Sequence, residues 1–243
     1  KWSEGTTANT YAYKAAGTQQ LSVDVTAEYV VDGKTLISQT KTFPATAEVA
    51  KAELDVSVTV TNANGGVLTY GTVPQVKFEA KGYVNGDEEL AQDSFIATYA
   101  FDNGTPADGA KLGVGSYTVS AAIDSQNYTA NCTPAKIRVA AKNIAVNVTA
   151  NDITYGEDVL TEVIADKSQF AYGEDISVLK EGKVVIKNAD GTEVSGILPA
   201  GEYTVELSGY TNTNYSVTLG SAEFTVNKAT LTATVSVDKT SYV

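Results

Sequence analysis

The sequence predicts an all-β chain, and three observations carry that expectation. The first is composition: 43% of the residues are hydrophobic and 14 are Tyr, while Met and His are absent and Cys and Trp occur once each. β-Branched and aromatic side chains suit a pleated, half-buried surface, and 20 Gly with many Asn and Asp supply turns. The second is short-range alternation of apolar and polar residues. The third is a set of landmarks that return at one offset. A chain of 243 residues has room for one or two ordinary domains of roughly 100 to 200 residues each.

Taken along the chain, Leu21 to Tyr29, Leu54 to Val60, Ile144 to Val148 and Leu231 to Val237 each alternate with period two, the mark of an antiparallel sheet packed on one side. Ile144, Val146 and Val148 share one face, as do Tyr203 and Val205, then Tyr215, Val217 and Leu219, then Phe224 and Val226. Asp190-Gly191, between Val184-Val185-Ile186 and Val194, predicts a hairpin. Tyr70-Gly71 returns as Tyr155-Gly156 after 85 residues, and Asn103-Gly104-Thr105 as Asp190-Gly191-Thr192 after 87. Gly115-Ser116-Tyr117-Thr118-Val119 returns as Gly201-Glu202-Tyr203-Thr204-Val205 after 86, and Asn127-Tyr128-Thr129 as Asn214-Tyr215-Ser216 after 87. These offsets define repeats over 52–141 and 142–227, then the first strand of a further, truncated repeat over 228–243. Some seven or eight short strands per repeat predict β-sandwich modules of immunoglobulin-like (Ig-like) type. Because the linking segments are short, the modules are expected to follow one another end to end.

The run Ile153-Thr154-Tyr155-Gly156, Pro199 to Val205, Asn214 to Val217 and Phe224 to Ala229 resembles the bacterial MBG (mostly β, glycine-rich) repeat. The resemblance covers 142–227 well and 52–141 more loosely. It implies tandem modules of large secreted or wall-anchored surface proteins, many regarded as adhesins, and carries over no catalytic residue. Residues 1–51 differ: Tyr11 to Gly17 followed by Leu21 to Tyr29 is similar to the back half of a PKD-type domain, which implies a partial Ig-like or PKD-like module. Lys1 and the lack of Met point to an internal or processed piece of a longer polypeptide.

Charge limits the partners. With 17 basic and 29 acidic residues the net charge is -12, and Arg138 is the single Arg. Nucleic-acid binding needs clustered cations, so it is not expected, and an anionic membrane surface would repel the chain. No apolar run approaches the ~20 residues of a membrane span, so no membrane insertion is expected in this segment. The lone Cys132 cannot pair within the chain. Few oxidisable or metal-binding side chains suit the exterior of a bacterium.

Candidate chemistry is sparse. Without His there is neither a His/Cys zinc site nor a Ser-His-Asp triad. Ser177-Val178-Leu179-Lys180 matches a Ser-x-x-Lys pattern but lies in an expected strand or loop, and Glu88-Glu89 reads as a solvated pair. Asp102-Asn103-Gly104 with Asp108-Gly109, Asn62 with Asn64, and Asn188 with Asp190-Gly191 are oxygen-rich enough to raise Ca2+ as a cofactor, though tight turns need the same residues. Lys51, Lys142 and Lys228, with Asn147 and Asn214, raise a Lys–Asn amide cross-link against the plainer reading of linker lysines. Most repeated tyrosines are expected in the core, so Tyr83, Phe95, Tyr99, Tyr172 and Tyr210, which vary between repeats, are the candidate ligand contacts.

The expectation is a non-enzymatic, extracellular repeat region on a bacterial cell surface, acting as adhesin stalk or interaction module. Its partners would be a host glycan, a host protein or neighbouring surface proteins. The alternatives are accessory modules of a secreted polysaccharide-degrading enzyme, or direct binding of a host protein such as an immunoglobulin or mucin.

Overall fold

The computed structural model describes residues 12–87 and 94–238, so Glu88-Glu89 lie outside the described residues. The described residues are all-β: they form 18 strands and include the short 3-10 turns Lys167–Gln169 and Ile176–Val178, with no α-helix among them. It divides into two compact units, one built from Lys1–Leu68, Val73–Lys111 and Gly115–Arg138, the other from Thr69–Thr72, Leu112–Val114 and Val139–Val243.

The first unit opens with a two-stranded ribbon, β1 (Gly17–Val31) and β2 (Lys34–Val49), closed by Asp32 and Gly33 at φ 48° and 72°. Two successive positive φ angles make the type I′ turn that an Asp-Gly pair favours, because its twist matches the strands. Pairing of Val23 with Phe43 and of Tyr29 with Ile37 gathers apolar side chains on one face. The other face is laced by Thr18 to Glu48 at 2.6 Å and by Thr26 with Thr40 at 2.7 Å. Gly17 pairs with Val49 as Gly201 pairs with Val226. The two pairings thus share a Gly-to-Val register, although the ribbon is a direct hairpin whereas Gly201–Ser208 and Ser221–Asn227 are separated in sequence by a further strand.

The first repeat supplies β3 (Ala52–Val60), β4 (Val67–Thr69), β5 (Val76–Lys81), β6 (Phe95–Phe101), β7 (Pro106–Ala107), β8 (Gly115–Ile123), β9 (Tyr128–Thr133) and β10 (Ala135–Ala140). The second supplies β11 (Lys142–Ala150), β12 (Ile153–Thr154), β13 (Thr161–Ala165), β14 (Lys183–Asn188), β15 (Glu193–Val194), β16 (Gly201–Ser208), β17 (Tyr215–Leu219) and β18 (Ser221–Asn227). The sheet orders are β5-β3-β9 with β4-β10-β8-β6-β7, and β13-β11-β17 with β12-β18-β16-β14-β15. Adding eight to each strand of the first repeat reproduces the second, so the sequence repeat is also a topological one.

Each repeat is a β-sandwich-like pair of sheets around its own apolar layer. Leu54, Val56 and Tyr128 form a buried cluster onto which Phe78 and Ala80 of one sheet pack together with Phe95, Ala121 and Ile123 of the other. In the second repeat Val146, Val205 and Val226 are sealed from solvent, and the Tyr203 and Phe224 rings stack at 5.5 Å. Full burial of each such side chain is worth about 1.5–3 kcal/mol. A substitution that puts a charge at Val146 would therefore remove that gain and add an unpaired buried ion.

Three local expectations are corrected. The sheets are mixed rather than antiparallel: β3 runs parallel to β9, β11 to β17 and β12 to β18. Alternation reports which face of a strand is buried and is blind to the direction of its neighbour. Ser177 lies in a 3-10 turn, Ile176–Val178, because the Asp175 carboxylate caps it, accepting from the Ser177 amide at 2.9 Å and hydroxyl at 2.6 Å. The Asp190-Gly191 hairpin forms as expected, pairing Ile186 with Val194. Leu231, Val235 and Val237 keep their alternation but form no strand, and Leu231 is 92% exposed. Their counterparts on β3 and β11 are held by ladders on both sides, and no ladder partner reaches them among the described residues.

Candidate functional site: a repeated tyrosine–carboxylate turn

The most built polar arrangement in each repeat forms around the Asn-Tyr landmark. β9 and β17 begin at Tyr128 and Tyr215, both buried, each hydroxyl reaching a five-residue turn. In the second repeat that turn is Phe170-Ala171-Tyr172-Gly173-Glu174. Tyr172 and Gly173 have φ 54° and 73°, and the Glu174 amide donates to the Ala171 carbonyl at 2.9 Å. The Tyr215 hydroxyl accepts from the Ala171 amide at 2.9 Å and donates to Glu174 Oε2 at 2.6 Å. In the first repeat the turn is Tyr83-Val84-Asn85-Gly86-Asp87, with Asn85 and Gly86 at φ 60° and 77°. The Tyr128 hydroxyl takes the Val84 amide at 3.1 Å and faces Asp87 Oδ2 at 2.9 Å. The phenol thus supplies partners that the backbone of a tight turn cannot find within itself.

Aromatic rings seat the turns. Tyr83 meets Tyr128 edge-on at 5.8 Å, and Phe170 meets Tyr215 edge-on at 5.3 Å. In the second unit Tyr70 adds a further ring, edge-on to Tyr172 at 5.4 Å and to Tyr215 at 5.3 Å. Its hydroxyl donates to Glu174 Oε1 at 3.1 Å. Burial, reinforced by the Glu174 hydrogen bond, pushes the Tyr70 phenol up to about 12, and the same two causes raise Tyr215. Both phenols keep their protons throughout the neutral range. Chemically the arrangement clamps a turn, holding two neutral donors on one carboxylate.

The asparagine before each tyrosine completes the arrangement. Asn127 Oδ1 accepts from the Ala16 amide at 3.0 Å in the first unit, and Asn214 Oδ1 accepts from the Val114 amide at 2.9 Å in the second. Ala16 and Val114 each precede the glycine that opens a strand, Gly17 or Gly115.

Of the candidate contacts, Tyr83 and Phe95 come together in the core cluster of the first repeat, Phe95 lying 5.5 Å from Phe78. The Tyr99 ring covers Gly109, where a Cβ would come within 2.1 Å of it, and burial raises its pKa. Tyr210 covers Gly182 in the same way. Tyr172 sits on the turn, 38% exposed. The repeated tyrosines Tyr117, Tyr128, Tyr203 and Tyr215 are buried as expected, and Tyr203 donates to the Pro199 carbonyl at 2.8 Å.

The oxygen-rich loops spend their oxygens on turns. Asn103 Oδ1 accepts from the Thr105 amide, Asp108 Oδ1 from Ala110, and Asn188 Oδ1 from Asp190 and Thr192. Among the described residues no group of three His, Cys, Asp or Glu stands close enough to hold a metal. Lys51 Nζ donates to the Ser125 carbonyl at 2.7 Å, and Cys132 Sγ accepts from the Ala121 amide at 3.2 Å. No described helix is long and apolar enough to cross a membrane.

The turns were missed in the sequence although a signal existed: Tyr83 and Phe170, Gly86 and Gly173, Asp87 and Glu174 all stand 87 apart, the offset of the Asn-Tyr landmark. No family model and no curated protein matches the chain.

Proposed function

We propose that the chain is a non-enzymatic, extracellular repeat region of a bacterial cell-surface protein, made of Ig-like modules of MBG type and acting as an adhesin stalk or interaction array. The observation that carries this reading is that two repeats have the same eight-strand order and that one residue, Ala141, separates the last strand of the first from the first strand of the second. Modules that each close a core and are joined almost without linker make a length adjustable by copy number. The polar chemistry of the repeats supports the same reading, since the clamped tyrosines and the Asx turns hold backbone in place. The net charge of -12 favours an extended, soluble surface over nucleic-acid contact. Its ligands, in this reading, are a host glycan, a host protein or neighbouring surface proteins.

The test is activity and capture together. The purified chain is expected to show no turnover on glycan, peptide or ester substrates. Turnover that survives purification and is abolished by a single carboxylate substitution would overturn the proposal. Retention on an insoluble polysaccharide, with none on host glycans or secreted host proteins, would favour an accessory module of a polysaccharide-degrading enzyme instead.

A further inference from the structure

The tyrosines Tyr70 and Tyr155 occupy one position of the repeat and are held by the same backbone device. The Tyr70 amide donates to the Ala140 carbonyl at 2.8 Å, the Tyr155 amide donates to the Asn227 carbonyl at 2.8 Å, and the following glycines, Gly71 and Gly156, both have φ 95°. Their side chains differ sharply. Tyr70 is 3% exposed, seated among Tyr172, Tyr215 and Glu174, whereas Tyr155 is 51% exposed. The same contrast holds at the second half of the motif. Val114, ahead of Gly115, gives its amide to Asn214 Oδ1, while Ala200, ahead of Gly201, is exposed, as is Ile197 three residues before it at 74%.

We infer that Tyr155 and the Ala200 amide, with the exposed Ile197, form a docking surface for a further repeat of the same type. That repeat would carry an Asn-Tyr-[Ser/Thr] strand start and an aromatic-x-x-Gly-[Asp/Glu] turn. The complementarity is specific. The surface offers a phenol donor, an amide donor and apolar area; the socket of this fold offers a carboxylate, an asparagine carbonyl and aromatic edges. The asparagine half of that socket is filled twice in the chain, by Ala16 on Asn127 and by Val114 on Asn214. Glu157, next to the surface, is exposed and has one carboxylate oxygen held by the Thr154 amide at 2.6 Å. The segment after β18 repeats the alternation of β3 and β11 at Leu231, Val235 and Val237 and leaves those residues bare, as the opening of such a repeat would. A stray ligand would need none of this repetition.

The inference rests on the repeat-array reading for the nature of the partner, and its test is separate from that reading. Tetranitromethane nitrates phenolate, so burial and a raised pKa both slow it. In the 243-residue chain Tyr155 is expected to react at least ~10-fold faster than Tyr70. In a chain lengthened by a second copy of residues 142–243 placed after Asn227, with Tyr155→Phe in the added copy, the remaining Tyr155 is expected to slow to the rate of Tyr70. A Tyr155 rate within about twofold of the original would overturn the inference, while the activity and capture results would stand untouched. A second arm needs no added repeat: Glu174→Gln with Asn214→Ala in the parent chain should expose Tyr70 and raise its nitration rate several-fold. An unchanged Tyr70 would show that this socket is not what covers the tyrosine, and would overturn the inference equally.

Discussion

Gly71 and Gly156 offer a controlled comparison, since they share a repeat position and φ 95° and differ only in what surrounds them. A Cβ built at Gly71 would lie 2.7 Å from the Cβ of Ala171, whereas one built at Gly156 meets nothing within 4 Å. Alanine at either site carries the backbone strain of positive φ, about 1–3 kcal/mol. Only Gly71→Ala adds the overlap with Ala171. That atom is fixed to the backbone and cannot rotate away, so overpacking adds a further ~1–3 kcal/mol. Gly71→Ala is thus expected to be the more destabilising by about 1–3 kcal/mol, or several degrees in Tm at roughly 2–4 °C per kcal/mol for a chain of this size. Urea unfolding of the two variants measures the difference. Gly71→Ala combined with Ala171→Gly should recover much of it, as a coupling between touching residues. Equal losses at the two glycines, within ~0.5 kcal/mol, would refute the packing of the Tyr70 segment on the Phe170–Glu174 turn.

Two further outcomes are expected. Tyr215→Phe leaves the buried Ala171 amide without its acceptor and should cost about 1–3 kcal/mol in chemical denaturation, with Tyr128→Phe costing a similar amount through Val84; a loss below ~0.5 kcal/mol for both would remove the clamp from the account. Alkaline stability should follow the phenols. The Tyr70 pKa is raised in the fold to about 12 from an ordinary 10.0, so its contribution is intact below pH 10 and is lost as pH rises from there toward 12. Unfolding curves across that window should show the decline, and Tyr70→Phe should flatten it; an identical decline in that variant would place the titration elsewhere.

Much of the fold was legible in the sequence because burial is written in period two. Val56, Val58 and Val60, like Ile144, Val146 and Val148, are inward where the alternation puts them, and Asp190-Gly191 turns where glycine permits positive φ. Strand neighbours were not legible: the parallel pairing of Ala52 with Tyr128 joins residues far apart in sequence, and no local pattern encodes it. The clamped turn escaped for a chemical reason. Its five positions keep only the glycine between Tyr83–Asp87 and Phe170–Glu174, while their roles persist as aromatic ring and carboxylate. Choosing contact candidates by their variation between repeats therefore selected Tyr83 and Tyr172, which belong to that turn. Tyr70 and Tyr155 show the converse, since the same Tyr-Gly pair is buried in one setting and open in the other, a difference that resides wholly in tertiary surroundings.

The proposal that the modules follow one another end to end is tested most directly by small-angle X-ray scattering of the 243-residue chain. Strands at about 3.3 Å per residue give modules roughly 35 Å long. Three in a row then form a rod of about 100 Å with a radius of gyration near 30 Å, against about 18 Å for a compact globule of the same length. A value near 30 Å is the predicted result; one below about 22 Å would mean that the repeats fold into a single body and would contradict the stalk.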